Sequence, residues 1–239
     1  MVWGNVGDAS VVFRAPGLSA DPGVVHGFTS RVDAHGEALN LGTGASPSVW
    51  DRLSLTVTGR VQPVAFASQV HGATVLRATT GGLVGEADAI WTDVPGVLLA
   101  IRTADCVPVV VAGEGIVAVI HAGWRGLAAG VIGETVNAMP ATGPLRAVVG
   151  PAICMGCYEV GSEVVSALGR WGPVEGFADL SGHRPHVDPG AAAVAQLRRS
   201  GVAAVERIAV CSQCDSRLWS HRQEGARAGR QAGVVGLTC

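Results

Sequence analysis

Short runs of aliphatic and β-branched residues recur along the chain, separated by turns that contain glycine and proline. Such runs predict strands, and their nearly continuous Val, Ile and Leu content is typical of strands that are buried on both faces. The predicted strands span residues 10–14, 64–69, 74–78, 89–92, 97–102, 107–112, 116–121, 146–149 and 207–210. Apolar residues at helical spacing predict three helices, at residues 126–139, 161–171 and 190–199.

The order of these elements predicts an α/β fold in which helices cover the faces of a sheet around one core. Residues 64–121 contain six strand signals with almost no helix between them, which argues against a regular alternation of strand and helix. The length of 239 residues suits one large domain or two small ones. A hydrophobic fraction of 48% permits a sizeable core, and a charged fraction of 15% argues against long disordered segments.

The charge pattern narrows the possible functions. All 17 basic residues are arginine and the formal net charge is −2. The absence of lysine excludes mechanisms that use a Schiff-base or P-loop lysine, and the balanced charge argues against general nucleic-acid binding. No apolar run reaches the roughly 18 residues of a membrane span, and the first residues lack the layout of a signal peptide. We therefore expect a cytosolic protein with reduced cysteines and with neither nucleic-acid nor membrane partners.

Three polar groups interrupt apolar surroundings at predicted strand ends. His71 follows the strand 64–69, Cys106 precedes the strand 107–112, and His121 ends the strand 116–121. Two histidines and one thiolate are sufficient for a catalytic zinc ion whose fourth position stays open. Because the three residues are far apart in sequence, buried core residues that bind no metal remain an equal alternative.

The segment Gly123-Trp124-Arg125-Gly126 combines a glycine-rich turn with the start of a predicted helix. Free backbone N–H groups and a guanidinium at a helix N-terminus favour binding of an anion such as phosphate. A solvent-exposed Arg125 with no ligand is an equally good interpretation of the same pattern.

Four cysteines form two C-x-x-C pairs, Cys154 with Cys157 and Cys211 with Cys214. Four thiolates are typical of a structural zinc site. However, the interval between the pairs is much longer than in zinc ribbons, and no glycine follows the second cysteine of either pair. Ordinary packed thiols are therefore the favoured interpretation, and a second zinc site is the alternative. We expect Cys239, at the end of the sequence, to be inert.

The order of the motifs resembles one known family closely. The motifs are Ser68-Gln69-Val70-His71-Gly72, Ala87-Asp88-Ala89, Arg102-Thr103-Ala104-Asp105-Cys106-Val107-Pro108, His121-Ala122-Gly123-Trp124-Arg125-Gly126, Gly150-Pro151-Ala152-Ile153 and Cys157-Tyr158-Glu159-Val160-Gly161. Further matches lie at 26–31, 39–42, 218–222 and 229–230. The chain resembles the laccase-domain family, also called multicopper polyphenol oxidase or peptidoglycan editing factor, over about residues 26–237.

The resemblance implies a single α/β domain, spanning 1–239, that is layered α-β-β-α with mixed sheets. It implies zinc held by His71, Cys106 and His121. It also implies cleavage of adenosine, inosine, guanosine or methylthioadenosine with phosphate, to free base and ribose 1-phosphate, together with deamination of adenosine. On this interpretation the partners are purine nucleosides and phosphate, and the chain is a monomer or homodimer.

Further residues receive roles from the chemistry that such reactions need, although an exposed side chain is the ordinary explanation for each of the arginines. Asp105 is expected to move protons or to orient a metal ligand, and Asn40 to bond to the ribose or the base. Four arginines are candidates for holding phosphate, because a guanidinium binds two phosphate oxygens at once. They are Arg125, Arg52, Arg31 and Arg222.

The chain departs from the family pattern at two places. The segment 42–53 is short and carries Asp51-Arg52, and Leu218-Trp219 stands where two Phe are usual. The nucleobase preference therefore stays open. Two alternative functions also remain, namely editing of peptidoglycan precursors and copper-dependent phenol oxidation. The His₂Cys set could accept copper in vitro, but seven histidines cannot supply a multicopper centre if only two reach the site.

Overall fold

Two six-stranded sheets form the centre of the protein in a computed structural model that describes residues 11–238. In chain order the strands are β1 (Val12–Phe13), β2 (Val24–Thr29), β3 (Val64–Ser68), β4 (Val75–Arg77), β5 (Gly82–Glu86), β6 (Ala89–Thr92), β7 (Leu98–Thr103), β8 (Val107–Gly113), β9 (Ile116–Ala122), β10 (Arg146–Val149), β11 (Ala178–Asp179), β12 (His186–Val187), β13 (Ala204–Arg207) and β14 (Gln231–Leu237). The short strands β11 and β12 pair with each other outside the two large sheets.

Both large sheets are mixed. The first has the order β1-β2-β14-β7-β3-β5, in which β3 is parallel to β5 and β7 and the remaining pairs are antiparallel. The second has the order β13-β10-β8-β9-β6-β4, with parallel pairs at its two edges and antiparallel pairs between them.

Helices surround the two sheets. They are α1 (Pro16–Ser19), α2 (Pro47–Thr58), α3 (Trp124–Ala129), α4 (Val131–Ala138), α5 (Ser162–Gly169), α6 (Pro189–Arg199) and α7 (His221–Glu224). Three single 3₁₀ turns lie at Met155–Cys157, Val174–Gly176 and Gly225–Arg227. In the described part of the chain, no helix is long and apolar enough to cross a membrane.

Alternating side chains of each central strand enter different layers of the core. In β8, Val109 and Val111 pack with the helices α3 to α6, whereas Val110 packs between the sheets. In β7, Leu99 packs between the sheets, and Leu98 packs with α2 on the other side. Strands buried on both faces explain the continuous apolar runs of the sequence. The expected α-β-β-α layering with mixed sheets is confirmed.

The structure corrects several element boundaries. The expected helix 126–139 is two helices, α3 and α4, because Gly130 between them adopts a left-handed backbone with φ 86°. The strand expected at 207–210 lies earlier, at β13, where it pairs in parallel with β10. The elements not expected are β2, β5, β11, β12, β14, α1, α2 and α7, and Ser10 of the strand expected at 10–14 lies outside the described residues.

The buried imidazole of His26 makes the stability of this fold depend on pH. His26 is 1% exposed in β2, and its Nε2 atom accepts a hydrogen bond from the N–H of Ala15 at 3.1 Å. Burial, and then the charge of Arg14, lower the pKa of His26 to about 4. The unfolded chain takes up a proton near pH 6.5 and the folded chain does not, so acid favours unfolding between these values.

We predict that stability falls as the pH decreases from about 6.5 to about 4, by up to about 1.4 kcal/mol per pH unit. A His26→Gln variant should lack this part of the slope, as measured by urea unfolding at about pH 7 and about pH 5. The matched control is His183→Gln, which removes an exposed histidine and should keep the wild-type slope. Equal pH slopes for wild type and His26→Gln would contradict the prediction.

Candidate metal centre and cleft

The side chains of His71, Cys106 and His121 meet at one end of the two sheets. Their potential ligand atoms all lie within 4.8 Å of one another. The sulfur of Cys106 is 3.8 Å from Nε2 of His71, and the two imidazole rings are 4.7 Å apart in an edge-to-face arrangement. His121 is buried, Cys106 is half-buried, and His71 is exposed. Three residues distant in sequence thus form one group that is open on the side of His71.

Unusual backbone conformations deliver two of the loops at this centre. His71 has φ 62° and Asp105 has φ 85°, and they are the non-glycine residues of 11–238 with a positive φ. Left-handed backbone is strained for a residue with a side chain, and such strain is concentrated at functional sites. At His71 the conformation turns the chain directly after β3, so that the imidazole faces Cys106 instead of continuing along the sheet.

A carboxylate that sequence reasoning did not single out holds this centre together. Asp88 is 0% exposed and accepts hydrogen bonds from the N–H groups of Val70 (3.2 Å), His71 (2.9 Å) and Gly72 (2.6 Å). Its Oδ1 atom is also 2.8 Å from Nδ1 of His121. Since a carboxylate only accepts, His121 donates through Nδ1 and leaves Nε2 free for a ligand. The sequence contains one signal that could have pointed to Asp88, namely an acidic residue between two alanines at 87–89.

The charges of these groups favour a thiolate at Cys106. Burial by itself would raise the pKa of the thiol, but the adjoining His121 and His71 outweigh it and lower the pKa to about 6. Burial by itself would lower the pKa of His121, whereas the charges and hydrogen bonds of Cys106 and Asp88 raise it to about 9. Thiolate is the form in which cysteine binds a metal ion. Metal binding would release the proton from His121.

The donor atoms fit a metal ion with nitrogen and sulfur ligands. Zinc bonds of about 2.0–2.3 Å in tetrahedral geometry separate two donors by roughly 3.3–3.8 Å, as His71 and Cys106 are here. Gly123 lies against both of them. A Cβ atom at Gly123 would be 3.0 Å from Cδ2 of His71 and 3.1 Å from the Cys106 sulfur, so glycine is needed for the two ligands to keep this spacing.

A small cleft opens beside the Cys106 sulfur. Residues from four separate segments line it, namely Asp105, Cys106, Ala122, Gly123, Trp124, Ile153, Tyr158 and Pro189. Its volume is about 40 Å³. That is enough for one or two water molecules but much less than a ligand pocket of roughly 300 Å³ or more. A larger substrate would therefore have most of its surface over the open mouth of the cleft.

The carboxylate of Asp105 is fully engaged at the edge of the cleft. Its Oδ1 atom accepts from the hydroxyl of Ser212 at 2.6 Å, and its Oδ2 atom accepts from the N–H of Arg222 at 2.6 Å. Its carbonyl accepts from the N–H of Ile153 at 3.0 Å. These contacts connect the loop that carries Cys106 to the cleft wall at Ile153 and to the segments of Ser212 and Arg222.

Two of the expected arginines lie around Tyr158, a second residue that sequence reasoning did not single out. The guanidinium of Arg222 is 5.1 Å from the centre of the Tyr158 ring and donates to the carbonyl of Glu159 at 3.0 Å. Arg125 is exposed, and its guanidinium lies 4.4 Å from the centre of the Trp124 ring. Within 11–238 it has no ion-pair partner. Burial raises the pKa of Tyr158 to about 12, and the charges of both arginines partly offset this rise.

The other expected binding residues are engaged in contacts within the protein. Arg31 donates to Glu224 and to the carbonyl of Leu218, both at 2.7 Å, and lies over the Trp219 ring. These bonds close a structural contact between distant parts of the chain.

Arg52 and Asn40 have structural partners as well. Arg52 donates through Nε to Asp33 at 2.7 Å. Oδ1 of Asn40 accepts from the N–H groups of Gly42 at 2.9 Å and Arg230 at 3.0 Å. Neither residue lines the cleft.

A second group of metal-competent side chains lies outside this centre. The sulfurs of Cys154, Cys157, Cys211 and Cys214 all lie within 4.8 Å of one another. In the described part of the chain, this group and the His₂Cys group are the two clusters of three or more potential ligands. The sequence interval had favoured separate packed thiols, whereas the fold brings both C-x-x-C pairs together. Cys239 lies outside the described residues.

Comparison with known proteins assigns the family. Residues 45–238 match the family model for multi-copper polyphenol oxidoreductase laccases. The chain belongs to this family, as the resemblance of its motifs had indicated.

Individual relatives and structures extend the comparison. A purine nucleoside phosphorylase of Deinococcus radiodurans is 33% identical over 241 residues, which cover 95% of this chain and 92% of that protein. Adenosine deaminase RL5, from an unknown prokaryotic organism, is 36% identical over 157 residues, or 60% of this chain and 59% of that protein. The crystal structure of YlmD from Geobacillus stearothermophilus superposes with a TM-score of 0.84 at 28% identity and covers 98% of both chains. The names of the relatives support an enzymatic function.

We predict that Asp88→Asn lowers the affinity of the His₂Cys group for zinc by about 10–100-fold, because the partner that orients His121 is weakened. An amide nitrogen in place of one carboxylate oxygen would also face the N–H groups of residues 70–72. The measurement is competition for zinc against a chromophoric chelator. Asp93→Asn is the control, since it alters an exposed ion pair with Arg77 and should leave the affinity unchanged. Equal zinc affinities for wild type and Asp88→Asn would contradict the prediction.

Proposed function

We propose that this protein is a zinc-dependent purine nucleoside phosphorylase that also deaminates adenosine. The main support is the convergence of His71, Cys106 and His121, with ligand atoms within 4.8 Å, beside a cleft that two arginines flank. The names of the relatives point to the same substrates. Adenosine, inosine, guanosine and methylthioadenosine are the proposed substrates. The cytosolic location and the monomeric or homodimeric state remain predictions.

In this proposal His71, Cys106 and His121 hold the metal, and Asp88 fixes the imidazole of His121. A zinc ion with an open position supplies a Lewis acid and a hydroxide nucleophile at neutral pH, which is the chemistry that deamination needs. The chain itself contributes the orientation of the ligands. The cleft at Cys106 would admit only the reacting group of the nucleoside and would leave the rest of it at the open mouth.

Phosphorolysis requires phosphate near C1′ of the ribose. Phosphate forms the new bond to C1′ while the bond from C1′ to the base nitrogen breaks, and the base leaves with the electron pair and takes up a proton. We assign phosphate binding to Arg125 and Arg222, because both flank the cleft and no carboxylate neutralises Arg125 within residues 11–238. We assign a weaker role to Arg31 and Arg52, because each already binds a carboxylate.

The aromatic residues of the cleft suit a purine. Trp124 and Tyr158 line it, and aromatic faces stack on nucleobases. Because the pKa of Tyr158 is about 12, its phenol is protonated at neutral pH and can donate a hydrogen bond to the base or the ribose.

For Asp105 the contacts favour a positioning role over proton transfer. Both oxygens of its carboxylate already accept hydrogen bonds, from Ser212 and from the backbone of Arg222. Asp105 thereby places the segment of Arg222 next to the loop of Cys106. Transfer of a proton by Asp105 stays a prediction of the sequence.

The family name raises copper-dependent phenol oxidation as a second candidate. Four-electron reduction of oxygen uses several coppers with many imidazole ligands, whereas this group contains two imidazoles. A His₂Cys group does accept copper, since copper competes strongly for nitrogen and sulfur ligands. We therefore expect any phenol oxidation to require added copper.

We predict that Cys106→Ala and His71→Ala each abolish the conversion of adenosine to inosine and, with phosphate, of inosine to hypoxanthine. Each change removes one of the three proposed protein ligands of the metal ion. The measurement is chromatographic separation of inosine, adenine and hypoxanthine after incubation with and without phosphate. His183→Gln, outside the centre, is the matched control and should retain wild-type turnover. Wild-type turnover in Cys106→Ala or His71→Ala, with no metal at the His₂Cys group, would overturn the proposal, as would a wild-type protein that leaves every purine nucleoside unchanged.

We predict that Arg125→Gln raises the KM for phosphate in phosphorolysis by about tenfold or more, because a hydrogen bond to a charged group contributes roughly 1.5–3 kcal/mol. Deamination of adenosine uses no phosphate and should be unchanged in the same protein, which provides an internal control. Arg77→Gln is the matched variant, since Arg77 is bound to Asp93, does not line the cleft, and its loss should leave the phosphate KM near the wild-type value. A phosphate KM unaffected by Arg125→Gln would refute this assignment.

A further inference from the structure

We infer that Cys154, Cys157, Cys211 and Cys214 bind a second zinc ion, which has a structural role and is separate from the His₂Cys centre. The inference rests first on convergence, because all four sulfurs lie within 4.8 Å of one another. Zinc–sulfur bonds of about 2.3 Å place the sulfurs of a tetrahedral site roughly 3.8 Å apart. The sulfurs of Cys157 and Cys214 are 3.4 Å apart, close to that separation.

Backbone hydrogen bonds hold the cysteines of the cluster in place. The N–H of Cys154 donates to the sulfur of Cys211 at 3.3 Å, and the N–H groups of Gln213 and Cys214 also point to that sulfur. At the 3₁₀ turn Met155–Cys157, the N–H of Cys157 donates to the carbonyl of Cys154 at 3.1 Å and fixes the spacing of the two cysteines. Hydrogen bonds from N–H groups stabilise a negatively charged sulfur and fix its orientation. Each C-x-x-C segment therefore presents its sulfurs to one common point.

The donor set is that of a closed structural site. All four donors are thiols, and the described cysteines are all free. The separation of 3.4 Å between Cys157 and Cys214 is much longer than a disulfide bond of about 2.05 Å. Four thiolates complete a tetrahedral coordination and leave no position for water, whereas the His₂Cys group leaves one. The two clusters thus have different chemical roles.

The second zinc would join the segment of the cleft wall that carries Ile153 and Tyr158 to the loop 211–214 behind it. Each of the two sulfur contacts spans 57 positions of sequence. Ala152 also pairs with Cys211 in a parallel bridge, in which its N–H donates to the carbonyl of Val210 and its carbonyl accepts from the N–H of Ser212. Ser212 binds Asp105, and Tyr158 directly follows Cys157. A metal ion at the cluster would hold these groups in place beside the other centre, whatever reaction that centre performs.

The first test is the metal content of purified protein, measured by inductively coupled plasma mass spectrometry. Wild type is expected to hold two zinc ions per chain. Cys106→Ala should hold one, at the four-cysteine cluster, and the double variant Cys154→Ser with Cys157→Ser should hold one, at the other centre. The control variant is Ser216→Ala, which changes an exposed residue two positions after Cys214. It should keep two zinc ions.

The second test identifies the ligands and does not depend on the folding of the double variant. Cys106→Ala leaves all four cysteines intact, and its reconstitution with cobalt(II) should give the strong thiolate-to-cobalt charge-transfer absorption of a four-sulfur tetrahedral site. Absence of both zinc and this absorption in folded Cys106→Ala would overturn the inference. Two disulfide bonds among the four cysteines in protein purified under reducing conditions, or stoichiometric iron in place of zinc, would overturn it as well.

Discussion

One buried carboxylate sets the geometry on which the candidate active centre depends. Burial of Asp88 would by itself raise its pKa, but the hydrogen bonds from His121 and the N–H of Gly72 outweigh it and keep the group ionised. Taking a carboxylate out of water costs several kcal/mol, and four hydrogen bonds offset that cost. The same carboxylate holds the strained backbone of His71 and the tautomer of His121. Two candidate ligands from different sheets therefore share one support.

Much of the fold follows from sequence periodicity, because strands buried on both faces leave unbroken apolar runs. Strands β6 and β10 were predicted with their observed boundaries. The strand β14 was missed because Gly233 and Gly236 interrupt its apolar run, and neighbouring strands rather than its own side chains stabilise it. The helix α2 carries many β-branched residues, yet Pro47 in its first turn and Gly59 after its end were usable signals.

The candidate site could be predicted only where a family pattern names its residues. Spacing could not show that His71 and His121 meet, since the contact depends on the packing of two sheets. It also could not distinguish an arginine that binds a ligand from one that closes the structure. Arg31 and Arg125 look alike in sequence, but a carboxylate near Arg31 becomes visible only in three dimensions. The four-cysteine cluster was missed for a similar reason, because the parallel pair β10 and β13 brings the two loops together.

The two clusters differ in what surrounds them, and this difference decides what each can do. At the His₂Cys centre, the buried carboxylate of Asp88 and a strained backbone hold three donors at a cleft. Three donors leave one metal position open, as reactive chemistry requires. At the cysteine cluster, backbone N–H groups face a complete set of identical donors, as a structural cross-link requires. Asp105 connects them through the hydroxyl of Ser212 at 2.6 Å and the N–H of Ile153 at 3.0 Å, so an ordered cysteine cluster would also order the loop of Cys106. Such support matters at a small, open cleft. A ligand that enters it would contact few residues and would therefore do little to order the cleft wall.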